Sequence, residues 1–177
     1  AIGTSANADG SFSTAIGYAA RAELDSAIAI GQSANASGLY SSASGYEAEA
    51  SSDYSIASGY RANAADSYAT AIGREAIASS QSVALGPFAN ASGSQSIAIG
   101  SYARATTTRS SASGYMSRAS GIFSSASGSY SKAEGIHSSA SGFYANASGD
   151  YSSASGYRAD ASGTYASASG YYANASA

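Results

Sequence analysis

Small residues alternate with larger or polar ones in short runs along the chain, and each run stops at a glycine. Gly recurs at 3, 17, 31, 45, 59, 73, 86, 100, 114, 128, 142, 156 and 170, always at an interval of 14 except for the 13 between Gly73 and Gly86. Taking this glycine as position zero, position −2 is Ala in every repeat and so is position +5. Position +3 is Ala except at Ser117 and Ser131. A second glycine column lies at +7, in Gly10, Gly38, Gly93, Gly121, Gly135, Gly149 and Gly163. Alternation with a period of two predicts strands that show one face inward and one outward. One strand is expected from −4 to −1 and another from about +2 to +6, with glycine supplying φ > 0 between them. One repeat then forms one flattened coil of two strands, and successive coils stack in register about 4.8 Å apart. The predicted fold is all-β, a parallel β-solenoid of about thirteen coils of 14 residues each, matching thirteen in-phase glycines.

Columns restricted to Ala are columns where size is restricted, so −2, +3 and +5 are expected to face inward. Ser at −4 (Ser13, Ser41, Ser55, Ser82, Ser96, Ser110) shares that face and needs a backbone partner for its hydroxyl. A core of methyl groups is thin, each methyl contributing about 0.8 kcal/mol on burial. Ordering the chain opposes it by roughly 1–2 kcal/mol per residue. Part of the outward surface should therefore be covered by another chain. The candidate is the −3/−1 face, which carries Ile2, Ile16, Ile28, Ile30, Ile56, Ile72, Val83, Leu85, Ile97 and Ile99. The opposite orientation, with this stripe inside and the Ala columns outside, would keep the same coil. From Ser110 onward the face reads Ser-Ser-Ala-Ser-Gly, so an interface continuing there would be polar and bridged by water. This change near residue 105 is read as two styles of one repeat domain spanning 1–177.

Composition narrows the function classes. Charged residues are 11% of the chain, the net charge is −3, and there are fifteen tyrosines but no Trp and no Cys. Disulfides and thiolate metal sites are excluded, and the slightly acidic balance argues against nucleic acid as a partner. No apolar run is long enough to span a membrane. The chain opens and closes in mid-repeat, at Ala1-Ile2-Gly3 and Ala175-Ser176-Ala177, so a segment of a longer protein is expected, with any signal or anchor outside it. The single histidine, His137, stands in a column otherwise rich in aromatics and reads as a surface replacement for Tyr. No Ser/His/Asp set can be built around one imidazole, acidic residues lack metal-ligand spacing, and the glycines follow the repeat rather than a phosphate loop. No enzyme activity, cofactor or metal is predicted.

All tyrosines fall at +1, +2 and +9, outward positions where rings on neighbouring coils can stack. Glu47, Arg61 and Glu75 alternate in sign on consecutive coils at +2, which fits a weakly stabilising ladder. Arg104, Arg118 and Lys132 follow one another at +4, where like charges repel. Together with Tyr102, Tyr130 and Tyr144 they are the candidate ligand-binding residues, suited to an acidic partner such as a sulfated glycan. A solvated face partly neutralised by Glu134 is the competing reading. Asn recurs at +4 in Asn7, Asn35, Asn63, Asn90, Asn146 and Asn174, where amides could bond along a ladder.

Ser82-Val83-Ala84-Leu85-Gly86 and Ser96-Ile97-Ala98-Ile99-Gly100 resemble the head-repeat motif of trimeric autotransporter adhesins, the YadA-like head. Ala15-Ile16-Gly17, Ala29-Ile30-Gly31 and Ala71-Ile72-Gly73 match more loosely, and the 14-residue period extends the resemblance over the whole chain. The resemblance implies a left-handed parallel β-roll, a homotrimer with the −3/−1 residues at its axis, and a head displayed on a bacterial outer membrane. It also implies a role in virulence through binding of extracellular matrix proteins or glycans, host cells or abiotic surfaces. The chain departs from that pattern after Gly100, where Val and Ile give way to Ser. Two other functions suit a solenoid of small residues: ice binding, which would want a regular Thr-x-Thr rank, and a structural fibre or phage-type filament without a dedicated ligand.

Overall fold

A computed structural model describes residues 1–176. They form an all-β parallel solenoid of about twelve turns, with no helix among them. Its coils group into two compact units, Ala1–Phe88 and the residues from Ala89 onward.

In the first unit one sheet holds β1 (Asn7–Ala8), β3 (Arg21–Ala22), β5 (Asn35–Ala36), β7 (Glu49–Ala50), β9 (Asn63–Ala64) and β11 (Ile77–Ala78). The other holds β2 (Thr14–Ile16), β4 (Ile28–Ile30), β6 (Ser42–Ser44), β8 (Ile56–Ser58), β10 (Thr70–Ile72) and β12 (Val83–Leu85). In the second unit the corresponding sheets hold β13 (Asn90–Ala91), β15 (Arg104–Ala105), β17 (Arg118–Ala119), β19 (Lys132–Ala133), β21 (Asn146–Ala147), β23 (Asp160–Ala161) and β25 (Asn174–Ala175). Beside them run β14 (Ile97–Ile99), β16 (Ser111–Ser113), β18 (Ser125–Ser127), β20 (Ser139–Ser141), β22 (Ser153–Ser155) and β24 (Ser167–Ser169).

Within each unit, strands of the same sheet pair in parallel with their repeat columns aligned. Ala15 faces Ala29, Ala29 faces Ala43 and Ala43 faces Ala57 in the first unit. Ala112, Ala126, Ala140, Ala154 and Ala168 align in the second. The 13-residue repeat does not disturb this order. Thr70 pairs with Val83 at an offset of 13, whereas Asn63 still pairs with Ile77 at 14. The missing residue falls in the corner between Ala78 and Ser82, which still closes through the Ser82 N–H to the Ser79 carbonyl at 3.1 Å.

The expected inward columns are inward. Interior Ala at −2, +3 and +5 is essentially sealed from solvent, as are Ser117 and Ser131, which replace Ala at +3. The −4 serines from Ser41 to Ser152 are buried too, Ser13 only partly, and the hydroxyls of Ser41, Ser55, Ser82, Ser110 and Ser124 find a local carbonyl. Ser41 Oγ donates to Gly38 O at 2.7 Å, Ser55 Oγ to Ser52 O at 2.6 Å and Ser110 Oγ to Thr107 O at 2.7 Å. Each spans three residues, so the hydroxyl ties down its own corner.

The strands are shorter than expected, three residues from −3 to −1 and two from +4 to +5. The reason lies in the corners. At the first corner the +3 N–H bonds the carbonyl of the zero glycine, as from Ala34 to Gly31 at 3.3 Å. At the second, the −4 N–H bonds the +7 carbonyl, as from Ser55 to Ser52 at 3.2 Å. Each turn has its third residue in the left-handed region, at φ +51 to +61, and these residues are non-glycine at +2 and +9 throughout. Glycine supplies the expected positive φ at the first corner and not at the second. The zero glycine adopts φ +122 to +138, and a Cβ on Gly45 would lie 2.3 Å from the Gly59 carbonyl oxygen. The +7 glycine has no positive φ. A Cβ on Gly38 would lie 2.1 Å from the Ser52 carbonyl, so close approach of the next coil sets that column.

Candidate functional site

With Ala filling the interior, all larger side chains point outward, and three surfaces result: the −3/−1 face, the two corners, and the +4/+6 face. The alternation in a three-residue strand turns −3 and −1 away from the core on either side of the buried Ala. Ile16, Ile28, Ile30, Ile56, Ile72, Ile97 and Ile99 are 38–43% exposed, Ile2 more so, and Val83 and Leu85 are half-buried. The orientation with this stripe inside is not adopted. In the first unit Ile2, Ile16 and Ile30 align in register, but Ser42 and Ser44 interrupt the aliphatic row at β6. In the second unit Ile97 and Ile99 stand beside Ser111 and Ser113, after which serine occupies both columns.

The corners carry the aromatic side chains. At +9 in the first unit, Tyr40, Tyr54 and Tyr68 stack with centroids 5.3 and 5.1 Å apart and planes within 8°. In the second unit Phe123, His137, Tyr151 and Tyr165 stack at 4.8, 5.2 and 5.1 Å. His137 thus replaces a tyrosine in a ring ladder, as its column suggested. At the other corner Tyr46 stacks on Tyr60, while Phe143, Tyr157 and Tyr171 form a second ladder. The faces of these rings are turned to one another, so the outer surface receives ring edges and phenol hydroxyls.

Of the candidate tyrosines, Tyr130 and Tyr144 come together, stacked at 4.7 Å. Desolvation, with Tyr115 beside it, holds the Tyr130 phenol above its ordinary pKa. Tyr144 meets Arg158, whose guanidinium carbon lies 5.5–5.6 Å from the centroids of Tyr144, Tyr157 and Tyr172. The same guanidinium donates to the Tyr172 hydroxyl at 2.9 Å. Arg158 fills a ring position in the +2 ladder, a role that its column alone did not suggest. Tyr102 occupies +2 two coils before Tyr130.

Arg104, Arg118 and Lys132 face one another in direct register on β15, β17 and β19 and are exposed. Glu134 approaches only Arg118, at 3.8 Å, and Arg104 and Lys132 have no ion pair among the described residues. Tyr130 and Tyr144 contact each other, and Tyr144 contacts Arg158, with no cation–π contact to these three cations among the described residues, so the candidate set divides into a charged strand face and an aromatic corner.

The charge ladder at +2 forms in part. Arg61 Nε donates to Glu47 Oε2 at 2.6 Å. This hydrogen bond, with a second from Tyr46, holds the Glu47 carboxyl below the ordinary carboxylate range. Glu75 turns instead to Arg74 at 3.5 Å. No Asn ladder forms, because Asn never occupies +4 on two consecutive coils. Asn146 bonds Asp160 on the next coil at 3.0 Å. Aspartate at +8 has a task that sequence patterning missed. Asp25, Asp53 and Asp150 each accept the backbone N–H of the preceding coil's +8 residue, Ser11, Leu39 and Ile136, at 2.8–2.9 Å. The signal was available, since Asp recurs at +8 in a turn whose N–H lacks a ladder partner.

The family model described as YadA head domain repeat (2 copies) matches residues 1–20, 25–48, 50–76, 79–103, 105–131 and 133–159. No curated protein matches the chain. In-register parallel coils, an Ala interior, outward aliphatic and aromatic columns and family matches along nearly the whole chain lead to one assignment, which carries with it an adhesin-type function: the chain belongs to the YadA head domain repeat family.

Proposed function

We propose that this chain is the non-catalytic, adhesive head of a homotrimeric protein on the bacterial surface, held to the outer membrane by an anchor outside residues 1–177. The −3/−1 face lies at the trimer axis, with Ile16, Ile28, Ile30, Ile56, Ile72, Ile97 and Ile99 buried against two identical copies. The observation that carries this reading is the half-exposed aliphatic rows on flat, in-register strands, a surface that a lone thin-cored coil leaves wet. Serine on the same face of the second unit gives that part of the interface hydroxyl contacts and bridging water. Multi-angle light scattering tests the assembly: three chain masses are expected, and a single chain mass at micromolar concentration overturns it.

The corners and the +4/+6 face then remain outside and meet matrix proteins, glycans or host surfaces. Within that surface Arg104, Arg118 and Lys132 are the proposed contact for an acidic glycan. Three aligned cations with a single distant carboxylate partner favour a polyanion that supplies a negative group at each coil. Replacing all three with Gln should abolish retention on heparin at low salt. Unchanged retention removes this contact while leaving the trimer intact.

A further inference from the structure

The stacked tyrosines share a geometry that matters for their chemistry as well as their packing. Tyr40, Tyr54 and Tyr68 occupy one position on three consecutive coils, with centroids 5.3 and 5.1 Å apart and interplanar angles of 8° and 7°. They are 48–58% exposed. Their backbone is fixed by the corner: the Tyr54 N–H bonds the Leu39 carbonyl at 2.8 Å and the Tyr68 N–H the Asp53 carbonyl at 3.1 Å. Neighbouring phenols are therefore held one coil apart, side by side, with their hydroxyl ends in solvent. Tyr46 with Tyr60, Tyr130 with Tyr144, Tyr151 with Tyr165 and Tyr157 with Tyr171 repeat the arrangement. The chain has no cysteine with which to tie one coil covalently to the next.

We propose that the stacked tyrosine pairs are modification sites, at which oxidation joins adjacent coils through a carbon–carbon bond between the rings. The oxidant is hydrogen peroxide acting through a haem peroxidase. Each of two neighbouring phenols loses one electron and one proton to give a tyrosyl radical. The radicals couple at the carbons ortho to their hydroxyls. The hydrogen on each coupled carbon then moves to the phenolic oxygen, restoring both aromatic rings. Two electrons and two protons leave per bond, and they reduce one peroxide to two waters. Each bond closes a loop one coil long and so restricts the unfolded chain, in the manner of a disulfide. The +9 tyrosines lie at a corner, away from the −3/−1 face, and the reaction does not depend on the function proposed above.

The test uses the whole chain with a haem peroxidase and limiting hydrogen peroxide. The expected product keeps the mobility of one chain on a denaturing gel, lacks two hydrogens per bond and shows dityrosine fluorescence. Glu47, Glu49 and Asp53 separate Tyr40 from Tyr54, and Asp66 separates Tyr54 from Tyr68. Cleavage at acidic residues should therefore release Tyr40–Tyr54 and Tyr54–Tyr68 paired peptides. Tyr54→Phe keeps the ring but not the phenol, and should remove both pairs while retaining the Tyr151–Tyr165 product. The cross-linked chain should also unfold at higher urea concentration. Three results would each overturn the proposal: no coupling, coupling only between chains, or the same paired peptides from chain oxidised in strong urea.

Discussion

At the scale of single residues, the columns that look alike in sequence answer to different constraints. The zero glycine is required twice over, by φ near +130 and by the carbonyl of the next coil. Gly45→Ala would place its Cβ 2.3 Å from Gly59 O, so a loss of at least about 2 kcal/mol is expected, read from the urea midpoint. Positions +2 and +9 are the reverse case, since they adopt left-handed backbone with ordinary side chains, at a strain that stacking and cross-coil hydrogen bonds offset. Ser33 sits at φ +55, exposed and outside any ring ladder. Ser33→Gly should therefore stabilise the chain by about 0.5–1 kcal/mol in the same measurement, strain relief exceeding the entropy lost. The Ala columns were legible because size restriction recurs in phase. The left-handed corners were not, because Tyr, Arg and Glu carry no propensity for that region.

Corners, rather than strands, are the elements in which this repeat invests its variety. Two- and three-residue strands supply aligned ladders, while the turns carry the ring stacks, the +8 aspartate contacts and the Glu47–Arg61 and Arg74–Glu75 ion pairs. The Glu47–Arg61 pair spans two successive corners and gives a signature in pH. Arg61, first, and Tyr46 after it hold the Glu47 pKa below its unfolded value. The contribution is present above the ordinary carboxylate range and disappears as pH falls through the lowered value. Glu47→Gln should lower the urea midpoint slightly at neutral pH, and the difference from the parent chain should vanish in acid. A difference that persists in acid would mean the residue acts through packing. Strand ends were misjudged from sequence for a related reason: period-two alternation continues through +3, but the backbone at +2 has already turned.

For the molecule as a whole, the period, the inward faces and the outward aliphatic rows were all readable, because one in-phase pattern dictates them. The partition of the candidate ligand residues was not readable. Tyr130 and Tyr144 stand at the corner and Arg118 and Lys132 on the strand beyond it, and in the folded chain Tyr144 meets Arg158 instead. The chain also contains its own control for the proposed trimer. Ser occupies −3 and −1 in β16, β18, β20, β22 and β24 with the same buried Ala and the same pairing. Ile28→Ser with Ile30→Ser should therefore leave the far-UV spectrum unchanged and weaken assembly, seen as a lower mass on dilution by light scattering. An unchanged mass at every concentration would place the subunit contact elsewhere.

Register by one repeat has a genetic corollary. Because Arg21 pairs with Asn35 and Asn35 with Glu49, excising the codons for residues 35–48 would bring Arg21 beside Glu49 with every column still in phase. Loss or gain of one such unit changes the number of coils without creating a misfit at the junction. The coil count can thus change by whole units while the in-register architecture stays the same.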